Sequence, residues 1–441
     1  MRIVQLTPGA GGMYCGCCLR DNALVHELRR QGHDVLLVPL YLPLKTDEPD
    51  RSEGTPVFFG GINVYLQQKT ALFRKLPRAL DRVLDAPALL NIAAGFAAKT
   101  NPHDLGALTV SMLKGEEGQQ AKELDRLLAW LKTTLRPDVV VLSNALLAGL
   151  VRKLRAELDA AVVITLHGED TFLDGLPEPH RTQAWDELAR RAREADAFVA
   201  VSRYYADLMA ARMKTPLERM HVVYNGIALE NFATSDEAPR APVLGYFARM
   251  CASKGLGTLV DAFCLLKQSG RVKDLKLRAG GTVTPADEEF LKEQRAKLQA
   301  QKLLEQVEFR PNLDLAGKQA FFKGLSVFSV PATYGESFGL YVLEALACGV
   351  PVAQPRHAAF PELLEATGGG VLCEPNDAKA LAETLEGLLL DPAKAHALGQ
   401  AGRAGVAREF TVERMAKNAL NVYEAAVALR RAERQPATKA E

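Results

Sequence analysis

The stretch RIVQLTPGAGGMYCGCCLRDNALVHELRRQGHDVLLV, residues 2–38, decides the fold. Arg2–Leu6 is a short apolar run of strand length, and Gly9, Gly11 and Gly12 make the turn after it. From Leu19 to Gln31 the apolar positions Leu19, Ala23, Leu24 and Leu28 recur at helical spacing. Gly32 closes that helix as a C-cap, and Val35–Val38 reads as a second buried strand. Strand, glycine turn, helix and strand in so short a stretch form a βαβ unit, which implies a parallel sheet and an α/β fold.

The alternation is interrupted over residues 42–135, where helical patterns near 71–98 and 119–135 predict an elaboration on the first domain. Strands resume at 139–142, 162–166 and 197–201, with helices near 145–157 and 180–194, and 222–224 is the expected last strand. Residues 228–241 are polar and aperiodic and predict a linker. A second series follows, with strands at 243–247, 275–279, 307–309, 327–330 and 350–353. Its helices are expected at 256–267, 286–301, 315–323, 338–347, 377–390 and 393–407. Two doubly wound, Rossmann-like domains are therefore expected, at 1–227 and 242–411, then an amphipathic helix over 412–431 and a disordered tail over 432–441.

A chain of 441 residues accommodates two or three domains. Its 54 basic and 53 acidic residues leave a net charge of +1, which argues against a nucleic-acid binder held by a general basic field. Any anion site must be local. The apolar run before Thr7 is too short for a signal-peptide core, and Val139–Val151, broken by Ser143 and Asn144, falls short of the roughly 20 residues of a spanning helix. A cytoplasmic enzyme is expected. Of seven cysteines, Cys251, Cys264, Cys348 and Cys373 stand alone, as in a reducing compartment. Cys15, Cys17 and Cys18 cluster without a second ligand pair, and read as small packing residues rather than a metal or redox site. Residues 72–98 are basic and apolar, but Asp81 and Asp85 beside Arg74, Lys75 and Arg82 favour a packed helix over peripheral membrane contact.

The stretch PATYGESFGLYVLEALACGVPV, residues 331–352, carries the most chemistry. A buried strand ends at Pro331, Gly335 loosens the turn, and a helix is expected from Phe338, with unsatisfied amides suited to a diphosphate. Glu336 lies in the turn and Glu344 inside the helix, leaning back toward its start. Carboxylates there suit the hydroxyls of a sugar nucleotide; equally, Glu336 reads as an ordinary acid before a helix and Glu344 as a solvated helix residue. In GYFARMCASKGLGTLVDAF, residues 245–263, Arg249 and Lys254 occupy the loop between a strand and a helix. They form either a second wall around a diphosphate or two solvated cations. In TLHGED, residues 165–170, His167 follows a strand; Asp170 is a ligand contact or a cap for the next turn. A nicotinamide fingerprint does not fit, because Tyr14 occupies the third glycine position and Val38-Pro39-Leu40 offers no acid for a ribose. No Gly-x-x-x-x-Gly-Lys-Ser/Thr phosphate loop occurs either.

Glu336, seven residues, then Glu344, with Gly335, Ser337, Phe338, Gly339, Leu340, Ala345, Gly349, Pro351 and Val352, resembles the paired-glutamate signature of family-4 retaining glycosyltransferases. Arg249 to Lys254-Gly255, His167-Gly168-x-Asp170, Gly11-Gly12 and the VVYNGI exit at 222–227 are similar to that family in the same order. The resemblance is weakest over 42–135. It implies the GT-B architecture, two Rossmann-like domains facing a cleft with the C-terminal helix crossing back to the first. It assigns Glu336 to the transferred sugar, Glu344 to the ribose, and backbone groups at Phe338, Gly339 and Leu340 to phosphate and sugar. Arg249 and Lys254 become donor-phosphate ligands, His167 an active-site residue, and Gly11, Gly12 and Asp170 acceptor-side residues. The implied activity is a retaining transfer of a hexosyl group from a nucleoside diphosphate sugar to an acceptor hydroxyl that the sequence does not identify, with no protein nucleophile, since Glu336 is assigned to sugar binding. Neither a metal nor a cofactor is called for, since fixed cations can hold the leaving diphosphate. A sugar-nucleotide epimerase, a phosphorylase and a non-catalytic nucleotide-sugar binder remain alternatives at this point.

Overall fold

A computed structural model describes residues 1–9, 16–44, 46, 49–52, 54–59, 68, 102–232 and 241–434. The expectations for Gly11, Gly12, Cys15, the helical pattern at 71–98 and the tail beyond 434 lie outside the described residues. The chain divides into two compact units, Met1–Tyr224 with Met415–Glu441, and Asn225–Arg414.

The first unit is built on a parallel sheet of β1 (Arg2–Thr7), β2 (Asp34–Pro39), β3 (Val139–Leu142), β4 (Ala161–Leu166), β5 (Ala197–Ala200) and β6 (Met220–Val222), in the order β2-β1-β3-β4-β5-β6. Ile3 pairs with Val35 on one side and Val139 on the other. Every residue of β3 and β4 is buried, which explains why their sequence is apolar apart from Thr165, as in a sheet covered on both faces. The last strand lies two residues earlier than expected.

Two helices of this unit, Pro102–Leu113 and Arg203–Arg212, were not expected from the sequence. In the first, Gly106, Thr109 and Val110 are weak helix formers. Tertiary packing overrides propensity: a Cβ on Gly106 would sit 2.7 Å from His180, at the start of helix His180–Ala192. The final helix, Val412–Arg434, runs past the expected end at 431, so residues 432–434 are helical rather than tail. It is tied to the first unit by Arg430, which donates to the Arg155 carbonyl at 2.9 Å, and by an Arg155–Glu433 ion pair at 2.9 Å.

The second unit has its own parallel sheet of β7 (Val243–Phe247), β8 (Lys276–Gly281), β9 (Val307–Pro311), β10 (Val327–Phe328), β11 (Val352–Pro355) and β12 (Gly370–Cys373). Its order, β12-β11-β10-β7-β8-β9, is that of a dinucleotide-binding Rossmann sheet. The helix Phe360–Thr367 and β12 were not expected. Among the described residues no helix is long and apolar enough to cross a membrane.

Candidate active site

In the second unit the strand order reverses between β7 and β10. One half of the sheet continues through β8 and the other through β11. Loops leaving the carboxyl ends of two such strands diverge, and the crevice between them is where open α/β sheets take ligands. The loop after β7 carries Arg249 and Lys254, and the loop after β10 carries Glu336. The two loops abut. Thr333 donates its amide to the Ser253 carbonyl at 2.9 Å and its hydroxyl to the same oxygen at 3.2 Å. Gly255 has φ +74°, and a Cβ there would lie 1.8 Å from the Pro331 carbonyl oxygen, so only glycine serves this contact.

This contact brings Lys254 onto Glu336. Its ammonium meets Glu336 Oε2 and the Tyr334 hydroxyl, and lies 4.8 Å and 5.7 Å from the ring centroids of Tyr334 and Tyr341. Both phenols also donate to Oε2, at 3.1 Å from Tyr334 and 2.8 Å from Tyr341. Glu336 is buried. Burial works to raise its pKa, but the Lys254 charge and the donated hydrogen bonds outweigh it and hold the carboxyl below the ordinary range. The turn is fixed from behind by His357, whose Nε2 lies 2.8 Å from the Tyr334 carbonyl oxygen, and by the Ala359 amide, 3.3 Å from the Glu336 carbonyl.

The following helix is Leu340–Ala347, two residues later than expected. Gly339, with φ +93°, is its N-cap and makes no side-chain cap, and of the first-turn amides Val342 donates to the Gly339 carbonyl at 2.9 Å, which leaves those of Leu340 and Tyr341 without a partner inside the helix. Phe338 therefore precedes the helix, and its buried ring packs 6.1 Å from that of Phe410. Glu344 is not a solvated helix residue. It is buried and paired with Lys318 of helix Leu315–Phe322 at 2.6 Å.

Arg249 does not share a partner with Lys254. Its Nε lies 3.1 and 3.0 Å from the two carboxylate oxygens of Asp287, and its Nη2 lies 2.9 Å from one of them. Asp287 also accepts from the Thr284 amide at 2.9 Å and hydroxyl at 2.7 Å. Burial raises the Asp287 pKa, but the bonds from Arg249 and Thr284 prevail and lower it. Sequence reasoning missed Asp287, although Thr284-x-x-Asp287 is a capping-box spacing. It also missed Lys318.

In the first unit His167 follows β4 on a loop organised by a residue the sequence reading passed over, Glu169. This buried carboxylate accepts from the amides of Ala145 (3.0 Å), His167 (2.9 Å) and Gly168 (3.0 Å), and from the Tyr205 hydroxyl (2.9 Å). Its burial raises its pKa against the opposing pull of those amides. Asp170 does not cap the next turn. The helix Glu169–Asp174 has its N-cap at Gly168, and Asp170 Oδ1 lies 2.9 Å from the Tyr205 hydroxyl, whose single proton it shares with Glu169. A surface depression of about 370 Å³ lined by Asp174, Arg181, Trp185 and Arg212 contains none of these residues.

Comparison with known proteins matches residues 229–405 to "Glycosyl transferases group 1" and residues 109–231 to "Glycosyltransferase Family 4". Glycogen synthase of Mycobacterium tuberculosis is 27% identical over 358 residues, covering 77% of this chain and 81% of that one. Among solved structures, sucrose-phosphate synthase of Thermosynechococcus elongatus superposes with a TM-score of 0.70 at 18% identity, over 97% of this chain and 100% of that one. The Anabaena protein HepE does so with TM-score 0.68 and 16% identity in complex with UDP, over 96% of this chain and 100% of that one. In complex with UDP-glucose its TM-score is 0.67 at 15% identity, with the same coverage.

Proposed function

Because the chain belongs to the family-4, group-1 glycosyltransferases and transfers a sugar from a nucleotide-sugar donor, we propose that its donor is a UDP-hexose and that transfer proceeds with retention on the front face of the sugar. The observation that carries this reading is the Lys254–Glu336 contact at the start of helix Leu340–Ala347. A cation, a carboxylate and a helix start at the switch point of a Rossmann sheet match the phosphates and hydroxyls of a sugar nucleotide. HepE, solved with UDP and with UDP-glucose, supports the choice of base and sugar class.

In this mechanism the bond between the anomeric carbon and the β-phosphate oxygen breaks as the acceptor oxygen bonds to the same face. The acceptor proton passes to a leaving diphosphate oxygen. Arg249, Lys254 and the amides at Gly339–Tyr341 take up the charge that grows on the diphosphate, where stabilisation lowers the barrier most. Glu336 accepts from a hydroxyl of the transferred sugar and, held ionised by Lys254, is no proton donor. Glu344 accepts from the ribose. His167 is a catalytic residue, and Asp170, with Gly11 and Gly12, belongs to the acceptor side. The free thiols Cys251, Cys264, Cys348 and Cys373 support a cytoplasmic setting.

The test is a thermal-shift screen with UDP-, GDP- and ADP-glucose. A ligand at 100 times its Kd stabilises by about 2.7 kcal/mol. UDP-glucose should raise the melting temperature of the wild type and not of Lys254→Ala. A response to GDP- or ADP-glucose alone refutes the UDP assignment, and a response to none refutes the donor site.

A further inference from the structure

Glu336 is loaded on one side. The Lys254 ammonium and the phenols of Tyr334 and Tyr341 all converge on Oε2, and among the described residues no donor reaches Oε1. A carboxylate oxygen offers about two lone-pair sites, so three donors crowd this one, and one can leave without stripping it. Of the three, Lys254 has a second task in the mechanism above. When it turns to the leaving phosphate, a buried carboxylate loses the cation beside it. Such a group becomes costly to keep ionised unless neutral donors remain on it.

Tyr341 is placed to remain. It sits in the first turn of helix Leu340–Ala347, with its ring 6.3 Å from that of Phe328. Desolvation first, and then the Glu336 charge, push its pKa well above the ordinary phenol value, so it stays a hydrogen-bond donor throughout the working range. Tyr334 is less independent, because its hydroxyl also receives Lys254. Among the described residues Tyr246 of β7 also feels the Glu336 charge, with its hydroxyl engaged with the Arg249 carbonyl at 2.9 Å, and His357 behind the turn is engaged with the Tyr334 carbonyl.

We propose that Tyr341 is a positioning residue for the transfer step, whose phenol holds Oε2 while Lys254 moves to the departing phosphate, leaving Glu336 ionised and Oε1 turned to the sugar. The inference rests on the donor-site reading above. It also explains why the helix begins with a hydroxyl-bearing ring at this position. An apolar residue there would release the carboxylate at the moment its cation is withdrawn.

The experiment compares wild type, Tyr341→Phe and Glu336→Gln by UDP release from UDP-glucose across pH, with UDP affinity by calorimetry. Tyr341→Phe keeps the ring and removes the donor. Its kcat should fall about tenfold, with KM and UDP affinity within about twofold, and the acid limb of its kcat profile should rise by about one pH unit. Tyr341→Phe with the wild-type kcat and acid limb overturns the proposal. So does a loss of UDP affinity equal to the loss in kcat, since that marks general packing damage. If Tyr341→Phe melts far below the wild type, the same kcat profile is read at a temperature at which both proteins are fully folded, and the same outcomes decide. A wild type that releases no UDP, or a Glu336→Gln protein as active as wild type, defeats the donor-site reading and this inference with it. An active wild type and an inactive Glu336→Gln beside an undisturbed Tyr341→Phe defeats the positioning role alone.

Discussion

Replacing Lys254 with methionine keeps the aliphatic stem and removes the charge, which isolates what the ammonium does for Glu336. Breaking a buried ion pair from one side costs about 3–5 kcal/mol, because the remaining charge is uncompensated. Here the Lys254 side chain is 21% exposed and that of Glu336 10%, and two phenols still donate to the carboxylate. The cost should therefore fall to about 2 kcal/mol. In a unit of about 190 residues, each kcal/mol moves the midpoint by about 2–4 °C, so thermal melts should show a drop of about 4–8 °C. The double variant Lys254→Met, Glu336→Gln removes the orphaned charge and should recover at least half of that drop. Turnover of the donor selected by thermal shift should fall about 10²- to 10³-fold, as for loss of one preorganised donor to a developing anion. A Lys254→Met protein that melts with the wild type and turns over at its rate refutes the reasoning, and so does a double variant less stable than the sum of its parts.

Glu169→Ala strips the acceptor from three backbone amides and should destabilise the first unit by about 2–4 kcal/mol, read by urea titration. Activity should fall by more than the unfolded fraction explains, since the loop bearing His167 loses its anchor. Gly255→Ala should be poorly folded or inactive, because its Cβ meets a carbonyl oxygen at 1.8 Å and φ is +74°. Gly387→Ala, in helix Ala378–Leu389 with nothing within 4 Å, should gain about 0.5–1 kcal/mol. Equal melting temperatures for these two would contradict the loop geometry. The pH dependence has a definite sign. The fold holds the Glu336 pKa below its unfolded value, so the unfolded chain binds more protons as acidity rises. The resulting stabilisation is complete above about pH 5 and is lost as pH falls through the folded value. Melts of wild type and Glu336→Gln should therefore converge toward acid; divergence toward acid contradicts the sign.

The sheets were legible because parallel strands covered on both faces are written as apolar runs, as in Val139–Leu142 and Ala161–Ile164. The paired glutamates and the two loop cations were legible because each motif is local. What escaped depends on neighbours distant in sequence. Arg249 finds Asp287 because β7 and β8 run side by side and their loops leave together. Glu344 finds Lys318 from the helix after β9. The helix Pro102–Leu113 is held by its contact at Gly106 and not by propensity. The start of helix Leu340–Ala347 depends on the left-handed backbone at Gly339, which a sequence pattern registers only as a glycine. Glu169 was in view inside His167-Gly168-Glu169-Asp170, but its importance comes from the Ala145 amide brought up beside it after β3.

In the second unit the three cations of the loops after β7 and the helix after β9 each come with a carboxylate of their own: Arg249 with Asp287, Lys254 with Glu336, Lys318 with Glu344. Their charges cancel. Three unpaired cations would grip any diphosphate strongly and would hold the nucleotide product as firmly as the donor, which lowers KM without raising kcat. A paired cation gains only the difference between its carboxylate and an incoming phosphate oxygen. That difference is small for an intact sugar nucleotide and grows as the glycosidic bond lengthens and charge collects on the diphosphate. On this reading the carboxylates are part of the catalytic design: they suppress ground-state affinity, so that the cations act most strongly at the transition state.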